Sequence, residues 1–288
     1  MEQTDKGLVI GIDVGGSATK IVGIKQQAIY RSPMLITATD PVSSLFGAFG
    51  KFLYDNDIDL DQVERVMLTG VGTGNISDIY GLPTTRVDEF TADALGASFD
   101  SGLQRLIVVS MGTGTTLVRL DQGKVTHLGG ISMGGGTLQG LSRLLLGTTD
   151  ISQVVELAAH GDVSNVNLQI SDISTTAIEG LPPYATASLF AKAATADVSN
   201  ADIAKGLICM VLETIGSCAV LSQGGGGITD FVLIGSLTRL PECRVIFPLM
   251  DDLYGVHFHI PQHAQFCTAL GAALASQSPM PDGIAQNN

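Results

Sequence analysis

The sequence predicts a mixed α/β protein built from two related halves, each a β-sheet flanked by helices. Three observations carry this expectation. A strand, a glycine turn and a second strand open the chain in "GLVIGIDVGGSATKIVGI", residues 7–24. The same unit returns in "LIVVSMGTGTTLVRL", residues 106–120. Between and after the two, short apolar runs alternate with segments whose apolar residues recur at helical spacing, the pattern of α/β layers.

Taken in order, "VSSLFGAFGKFLYDN" at 42–56 has the spacing of a helix, "VERVMLTGVGTGN" is a strand ending in glycines, and "TRVDEFTADALGASF" is a strand running into a helix. After the second glycine–threonine turn, "DQG" makes another turn and a third strand leads into the run "VTHLGGISMGGGTLQG", residues 125–140. Residues 138–160 read as helical, and "GLPPYATASLF" reads as a loop opening a further helix. At 200–223 a long apolar-faced helix is expected, with Asn200 and Asp202 suited to its start and "GGGG" at 224–227 ending it. "ITDFVLIGSL" is a strand reaching a Gly-Ser turn, "QFCTALGAALAS" the last helix, and "QSPMPDGIAQNN" a loose tail. The restart near residue 105 divides the chain into residues 1–104, residues 105–278 and a tail at 279–288.

Composition narrows the function. With 28 acidic against 15 basic residues the net charge is −13, and no basic stripe exists to displace counterions from nucleic acid or to meet anionic lipid. Neither partner is expected. The opening "MEQTDKGLVIGID" lacks a basic region before an apolar segment, so a cytoplasmic protein is expected. Cys209, Cys218, Cys243 and Cys267, spaced by 9, 25 and 24 residues, form no CxxC pair and read as isolated thiols. "HFHIPQH" reads as a strand end and turn rather than a metal site.

The 35 glycines matter more. Three strand ends join Gly to Ser or Thr: "DVGGSATK", "SMGTGTT" and "IGSL". Glycine lets a phosphate approach backbone N–H groups closely, and a neighbouring hydroxyl adds a hydrogen bond. Asp13 and Lys20 flank the first turn with the charges that a magnesium–phosphate complex requires.

These turns resemble those of the actin, sugar-kinase and heat-shock ATPase superfamily, whose two ribonuclease-H-like domains clamp ATP in the cleft between them. Within it the chain is most similar to the type II pantothenate kinases, through "GIDVGGSATKIV", "LTGVGTGN", "VDEFTADALG", "SMGTGTTL", "LGGISMGGGTLQGLSRLL", "AAHGD", "GLPPYATASLF", the "ETIGS" helix and "VLIGS". The resemblance implies a homodimeric kinase that uses ATP and Mg2+ to phosphorylate pantothenate at the start of coenzyme A synthesis. It places Asp13, Val14, Gly15, Gly16, Ser17, Ala18, Thr19 and Lys20 around the ATP phosphates, with Asp13 at the magnesium, partly through water. Thr113, Gly135, Gly136, Thr137, Leu138, Gln139 and Ser236 become further nucleotide contacts, with a helix N-terminus at the glycine run offering unpaired N–H groups to an anion. Ile151 falls where a relative carries Tyr beside the nucleotide. Glu89 matches the family's general base, and a loose phosphoryl-transfer transition state does not require its pKa to be raised. Asp88 and Asp93 are neighbouring carboxylates that could compete for that role.

One position departs from the family. His127 stands where relatives carry an arginine close to the substrate and the transferring group, which exchanges a fixed cation for a group mostly neutral at pH 7. His127 could donate one hydrogen bond in a shorter-armed version of the same site. The site could have moved to another small hydroxylated substrate, sugar-like, or the protein could bind nucleotide without efficient transfer. Retention of Glu89 speaks for catalysis. Sugar kinases of the repressor type are disfavoured by the absence of an HxxGH or C-x-C zinc pattern. The reductive activator ATPases of this fold are disfavoured because Cys209 and Cys218, nine apart on an expected helix, point to opposite sides.

Overall fold

The computed structural model describes residues 7–37, 40–74, 76–195, 197–224 and 227–276. The expected tail at 279–288, residues 277–278 and two glycines of the 224–227 run lie outside the described residues. The first sheet comprises β1 (Leu8–Val14), β2 (Thr19–Lys25) and β3 (Ala28–Ile36), then α1 (Pro41–Asp55), β4 (Val63–Thr69) and β5 (Thr84–Arg86), and α2 (Glu89–Ser101) leaves it. The second opens with β6 (Leu106–Met111), β7 (Thr115–Asp121) and β8 (Lys124–Ile131). There follow α3 (Gly135–Leu146), α4 (Ile151–Ala158), β9 (Leu168–Gln169), α5 (Ile170–Ile173), β10 (Thr186–Ser188) and α6 (Asn200–Leu221). β11 (Asp230–Ile234), α7 (Cys243–Tyr254), β12 (His257–His259) and α8 (Cys267–Leu274) complete the described chain.

The two large sheets share one topology. Their strand orders are β3-β2-β1-β4-β5 and β12-β11-β6-β7-β8, so in each the first strand lies in the middle, an antiparallel hairpin on one side and parallel strands on the other. The duplication expected from the two glycine turns is therefore one of architecture.

Both sheets are covered on both faces, which is why their strands read as nearly continuous apolar runs. Ile10 and Ile12 of β1 pack with Phe49 and Phe52 of α1, while Val9 faces Ala269 and Ala273 of α8. In the second sheet Val109 and Leu233 join Leu207, Val211 and Phe247 beneath the outer helices, and Val108 and Val232 meet Ala94 and Ala97 of α2. The layers run α1, first sheet, α2 with α8, second sheet, outer helices.

The middle layer corrects the sequence-based division. The break at 104/105 separates the two sheets, but α8, assigned to residues 105–278, returns to pack on the first sheet and on α2. Sequence order cannot show this crossing, because α8 is apolar all round and could be buried anywhere. Glycine makes the packing possible. A Cβ on Gly96 would lie 1.8 Å from the Cys267 carbonyl oxygen, one on Gly271 1.8 Å from that of Ala92, and one on Gly11 2.0 Å from that of Ala269. His263 Nδ1, 2.8 Å from Asp100 Oδ1, ties the last turn of α2 to the segment before α8.

Other local expectations are revised. The 138–160 stretch splits into α3 and α4, because Gly147 ends α3 in a left-handed conformation (φ 76°) and Asp150 caps α4. "GLPPYATASLF" opens no α-helix: it holds β10 and leads to one 3₁₀ turn at Ala191–Ala194. Ser199, not Asn200 or Asp202, caps α6, with Asp202 completing a capping box. α6 is long and apolar enough to cross a membrane by length and composition, but 56% of its apolar window is buried against its neighbours, the signature of a core helix. The four cysteines are free thiols, and burial pushes those of Cys209 and Cys243 up to about 12.

Candidate nucleotide and phosphoryl-transfer site

The β1–β2 and β6–β7 turns point at each other across the space between the sheets. Each closes on itself, Gly15 N–H donating to the Ala18 carbonyl (3.1 Å) and Gly112 N–H to that of Gly114 (2.9 Å). Among the described residues the amides of Gly16, Ser17 and Thr113 have no partner within the chain, and Gly16, Ser17 and Thr113 are exposed. A Cβ on Gly16 would stand 3.9 Å from Thr113 Oγ1, so nothing larger than glycine leaves the gap fully open.

Two adjoining cavities meet at these turns. One, of ≈ 490 Å³, is lined by Asp13, Gly15–Ala18 and Lys20 from the first half, by Ser110 and Thr113 from the second, and by Glu89 and Thr268 from the middle layer. The other, of ≈ 510 Å³, has apolar walls including Leu35, Ile151, Val155 and Leu240, with Gln139, Arg239 and Gln265 as polar groups. Ser17, Gly112, Thr113 and Ser236 line both. A polar chamber beside an apolar one suits a phosphate chain joined to a nucleoside.

Cross-strand pairing sets the charges. Asp13 and Lys20 face each other in the β1–β2 register, and Lys20 Nζ donates to Asp13 Oδ2 at 3.1 Å with both residues buried. Glu89 is the first residue of α2, whose N-cap Asp88 accepts from Thr91 N–H and Oγ–H at 2.8 and 3.0 Å. Capping thus occupies Asp88 and leaves Glu89 to face the cavity. Burial raises the Glu89 pKa, with the nearby Asp13 and Asp88 carboxylates adding to the rise and Lys20 opposing it. The sequence did not call for that shift, which comes first from burial and then from a neighbour on β1. One turn further along α2, Asp93 is fully buried, with Oδ1 accepting from Thr268 Oγ1 at 2.6 Å.

The remaining expected residues divide. Gly135, Gly136 and Gln139 line the second cavity beside Ile151. The amides of Gly135 and Gly136, however, donate to the carbonyls of Gly112 (2.8 Å) and Thr113 (2.9 Å). The N-terminus of α3 is therefore not an open anion site: its glycines let the two loops interlock, since a Cβ on Gly134 would meet the Thr113 carbonyl oxygen at 2.5 Å. Thr137 Oγ1 accepts from Gly134 N–H, and Leu138 is buried in the core. Val14 is also a core residue, and Thr19 Oγ1 accepts from Ser44 Oγ at 2.6 Å, so neither lines a cavity. His127 lies on β8, exposed, its ring stacked on that of Phe90 at 4.2 Å between centroids and 4° between planes. It is next to the Glu89 end of α2 but outside the lining of both cavities.

Ser110, Thr268, Arg239 and Gln265 went unread in the sequence. Ser110 had a signal, since it stands in the second hairpin where Asp13 stands in the first. Thr268 lies on α8 and Gln265 on the 3₁₀ turn before it, a segment that nothing local connects to the first half.

The donor set fits magnesium as nucleotides carry it. Among the described residues no three His, Cys, Asp or Glu side chains converge as a metal cluster. Asp13 with hydroxyls, water and phosphate oxygens is the sparse set that Mg2+ accepts.

Comparison with known proteins agrees with this architecture. The Fumble family model matches residues 100–274. A type II pantothenate kinase of Staphylococcus haemolyticus (strain JCSC1435) is 28% identical over 272 residues, covering 91% of this chain and 98% of that protein. The type II pantothenate kinase of Staphylococcus aureus (strain USA300) is 28% identical over 275 residues, covering 91% and 97%. Among solved structures, the activator of 2-hydroxyisocaproyl-CoA dehydratase from Clostridium difficile with bound ADPNP superposes with a TM-score of 0.66 at 19% identity, covering 96% of this chain and 100% of that one. A ROK hexokinase from Thermus thermophilus gives 0.55 at 14% identity, covering 93% and 97%. At such identities these structures speak for the fold alone, the two-domain ribonuclease-H-like class that the glycine turns led us to expect.

Proposed function

Because the chain belongs to the Fumble family, we propose that it transfers the γ-phosphoryl group of ATP to the primary hydroxyl of pantothenate, giving 4′-phosphopantothenate and ADP for coenzyme A synthesis. The observation that carries this reading is Glu89, held at the start of α2 on the wall of the cavity that both hairpin turns enter.

The adenosine would occupy the apolar chamber beside Ile151 and Arg239, and the phosphates would lie across Gly16, Ser17 and Thr113, whose free amides suit oxyanions. Magnesium, where bound, offsets phosphate charge; Asp13 is the residue placed to hold it, partly through water. Lys20 supplies the fixed cation of this chamber. Glu89 accepts the proton of the pantothenate hydroxyl as the new O–P bond forms and the bond to the ADP oxygen breaks. Its raised pKa makes it a better proton acceptor while ionised, and costs activity in acid, where it is protonated. We place His127 near the acceptor, through its stack on the neighbour of Glu89. A cytoplasmic homodimer, with neither nucleic acid nor membrane as partner, completes the reading.

The test is ADP release from magnesium–ATP with pantothenate, with a hexose and with neither. Release that depends on pantothenate supports the assignment. Equal release with the hexose, or none above the background with pantothenate, contradicts it.

A further inference from the structure

Asp93 is the one buried carboxyl at this site to which the reaction assigns no task. It is 1% exposed and sits one helical turn behind Glu89 on α2. Thr268 of α8 donates to its Oδ1 at 2.6 Å, and Oδ2 is buried without a partner. Thr268 and Ser110 line the cavity, so Asp93 lies directly behind its wall. Ser110 of β6 is near enough for its hydroxyl dipole to act on the carboxyl. The ionisable groups around it are Glu89 on its own helix, Asp13 on β1, acting through space, and the neutral thiol of Cys267 on α8. The cation of this region, Lys20 of β2, is paired with Asp13 and acts on Glu89.

A carboxylate in such a place has one hydroxyl donor and no partner charge, and an unpaired buried charge is the costliest polar group a protein can hold. Two nearby carboxyls that cannot both ionise share a proton, and the proton goes to the one deprived of water and cation. We propose that Asp93 is a positioning residue that works as a neutral carboxylic acid, so that the Glu89–Asp93 pair carries one negative charge and Glu89 holds it.

Burial and the neighbouring Glu89 and Asp13 raise the Asp93 pKa to about 7, whereas the Thr268 and Ser110 hydroxyls oppose the rise. As pH climbs through that value, Asp93 ionises and adds a second negative charge behind the cavity where the ATP phosphates must lie. Glu89 still works as a base, but phosphate binding and transfer meet repulsion.

The inference rests on the kinase reading for its consequence but not for the protonation itself, and the two are measured separately. In protein labelled with carboxyl-¹³C aspartate, the Asp93 signal is identified by its loss in Asp93→Asn. A midpoint at or above about 6 is expected, against the ordinary aspartate value near 4, and a lower midpoint overturns the inference. In turnover, wild-type kcat/KM for ATP should fall at least about tenfold between pH 7 and 9 while Asp93→Asn stays level, with activity at pH 6 within about threefold of wild type. An unchanged alkaline fall in Asp93→Asn, or a loss of about 100-fold at every pH, overturns it. Thr268→Val, which removes a donor to the ionised form, should raise the ¹³C midpoint; a lowered midpoint counts against the inference. Absence of pantothenate turnover in the wild type would sink the acceptor and leave the ¹³C midpoint to decide on Asp93.

Discussion

In the first half of the molecule Asp13 stands across the hairpin from Lys20; in the second half the corresponding cross-strand pair, one step before the turn, is Ser110 and Thr116. The two sheets have the same strand order and their turns meet at one gap, yet of these two turn-flanking pairs only the first is charged. A phosphate chain with magnesium needs one carboxylate and a cation near its reacting end, and uncharged amides and hydroxyls elsewhere. A second Asp–Lys pair would add a second buried ion pair whose desolvation is costly. Duplication supplied the geometry, and the difference between the copies supplies the chemistry. In the second copy Ser110 instead lines the cavity near the buried Asp93.

The comparison depends on a middle layer that keeps both halves in register, and breaking that layer should have the largest effect. Gly271→Ala puts a methyl 1.8 Å from a backbone oxygen of α2, with no flexible side chain to give way. The expected outcome is a loss above about 4 kcal/mol, seen as insoluble or unfolded protein by circular dichroism. Soluble protein with a wild-type melting curve would mean that α2 and α8 are farther apart than described.

Next in size is the exchange of charge between the hairpins. Asp13→Asn should lower kcat by about 100-fold or more and weaken the dependence on magnesium, whereas Thr116→Ala should change kcat by less than about fivefold. Equal losses would remove the distinction between the copies.

Asp93 gives a smaller effect with a defined sign. A carboxyl whose folded pKa is raised from 3.8 to about 7 penalises folding as pH rises between those values. Asp93→Asn should therefore stand above wild type in urea midpoint at pH 8, and the difference should shrink towards pH 4. A constant difference across that range would contradict the raised pKa.

The smallest expected change lies in the apolar chamber. Ile151→Tyr offers an aromatic face to the nucleoside and should tighten ATP binding by about threefold to tenfold, measured calorimetrically, with kcat little changed. Weaker binding would place the adenine away from α4.

The fold was readable because strands covered on both faces must be apolar runs, and because glycine with Ser or Thr at a strand end marks a tight turn open to phosphate. Asp13 and Lys20 stood out by type and spacing and Glu89 by its match to the family pattern, and the three line one cavity. Other features were not. The glycines at 134–136 looked like a phosphate cradle, but a glycine that admits a ligand and one that admits another loop have the same letter, and here the amides of Gly135 and Gly136 are taken by Gly112 and Thr113. Gly11, Gly96 and Gly271 carried no signal, since helix contact across the chain is not periodic in any one segment. His127 was placed by analogy with an arginine; its shorter, flat ring stacks on Phe90 instead of entering the cavity.

The most direct test follows the γ-phosphoryl group itself. Radiolabel transfer from [γ-³²P]ATP to pantothenate should be compared in wild type and Glu89→Gln, with magnesium–ATP affinity measured on the same samples. Transfer is expected to fall by about 100-fold or more while ATP affinity stays within about threefold. Transfer at the wild-type rate in Glu89→Gln would contradict the role of Glu89 as the base, and labelled product absent from the wild type would contradict the kinase reading as a whole.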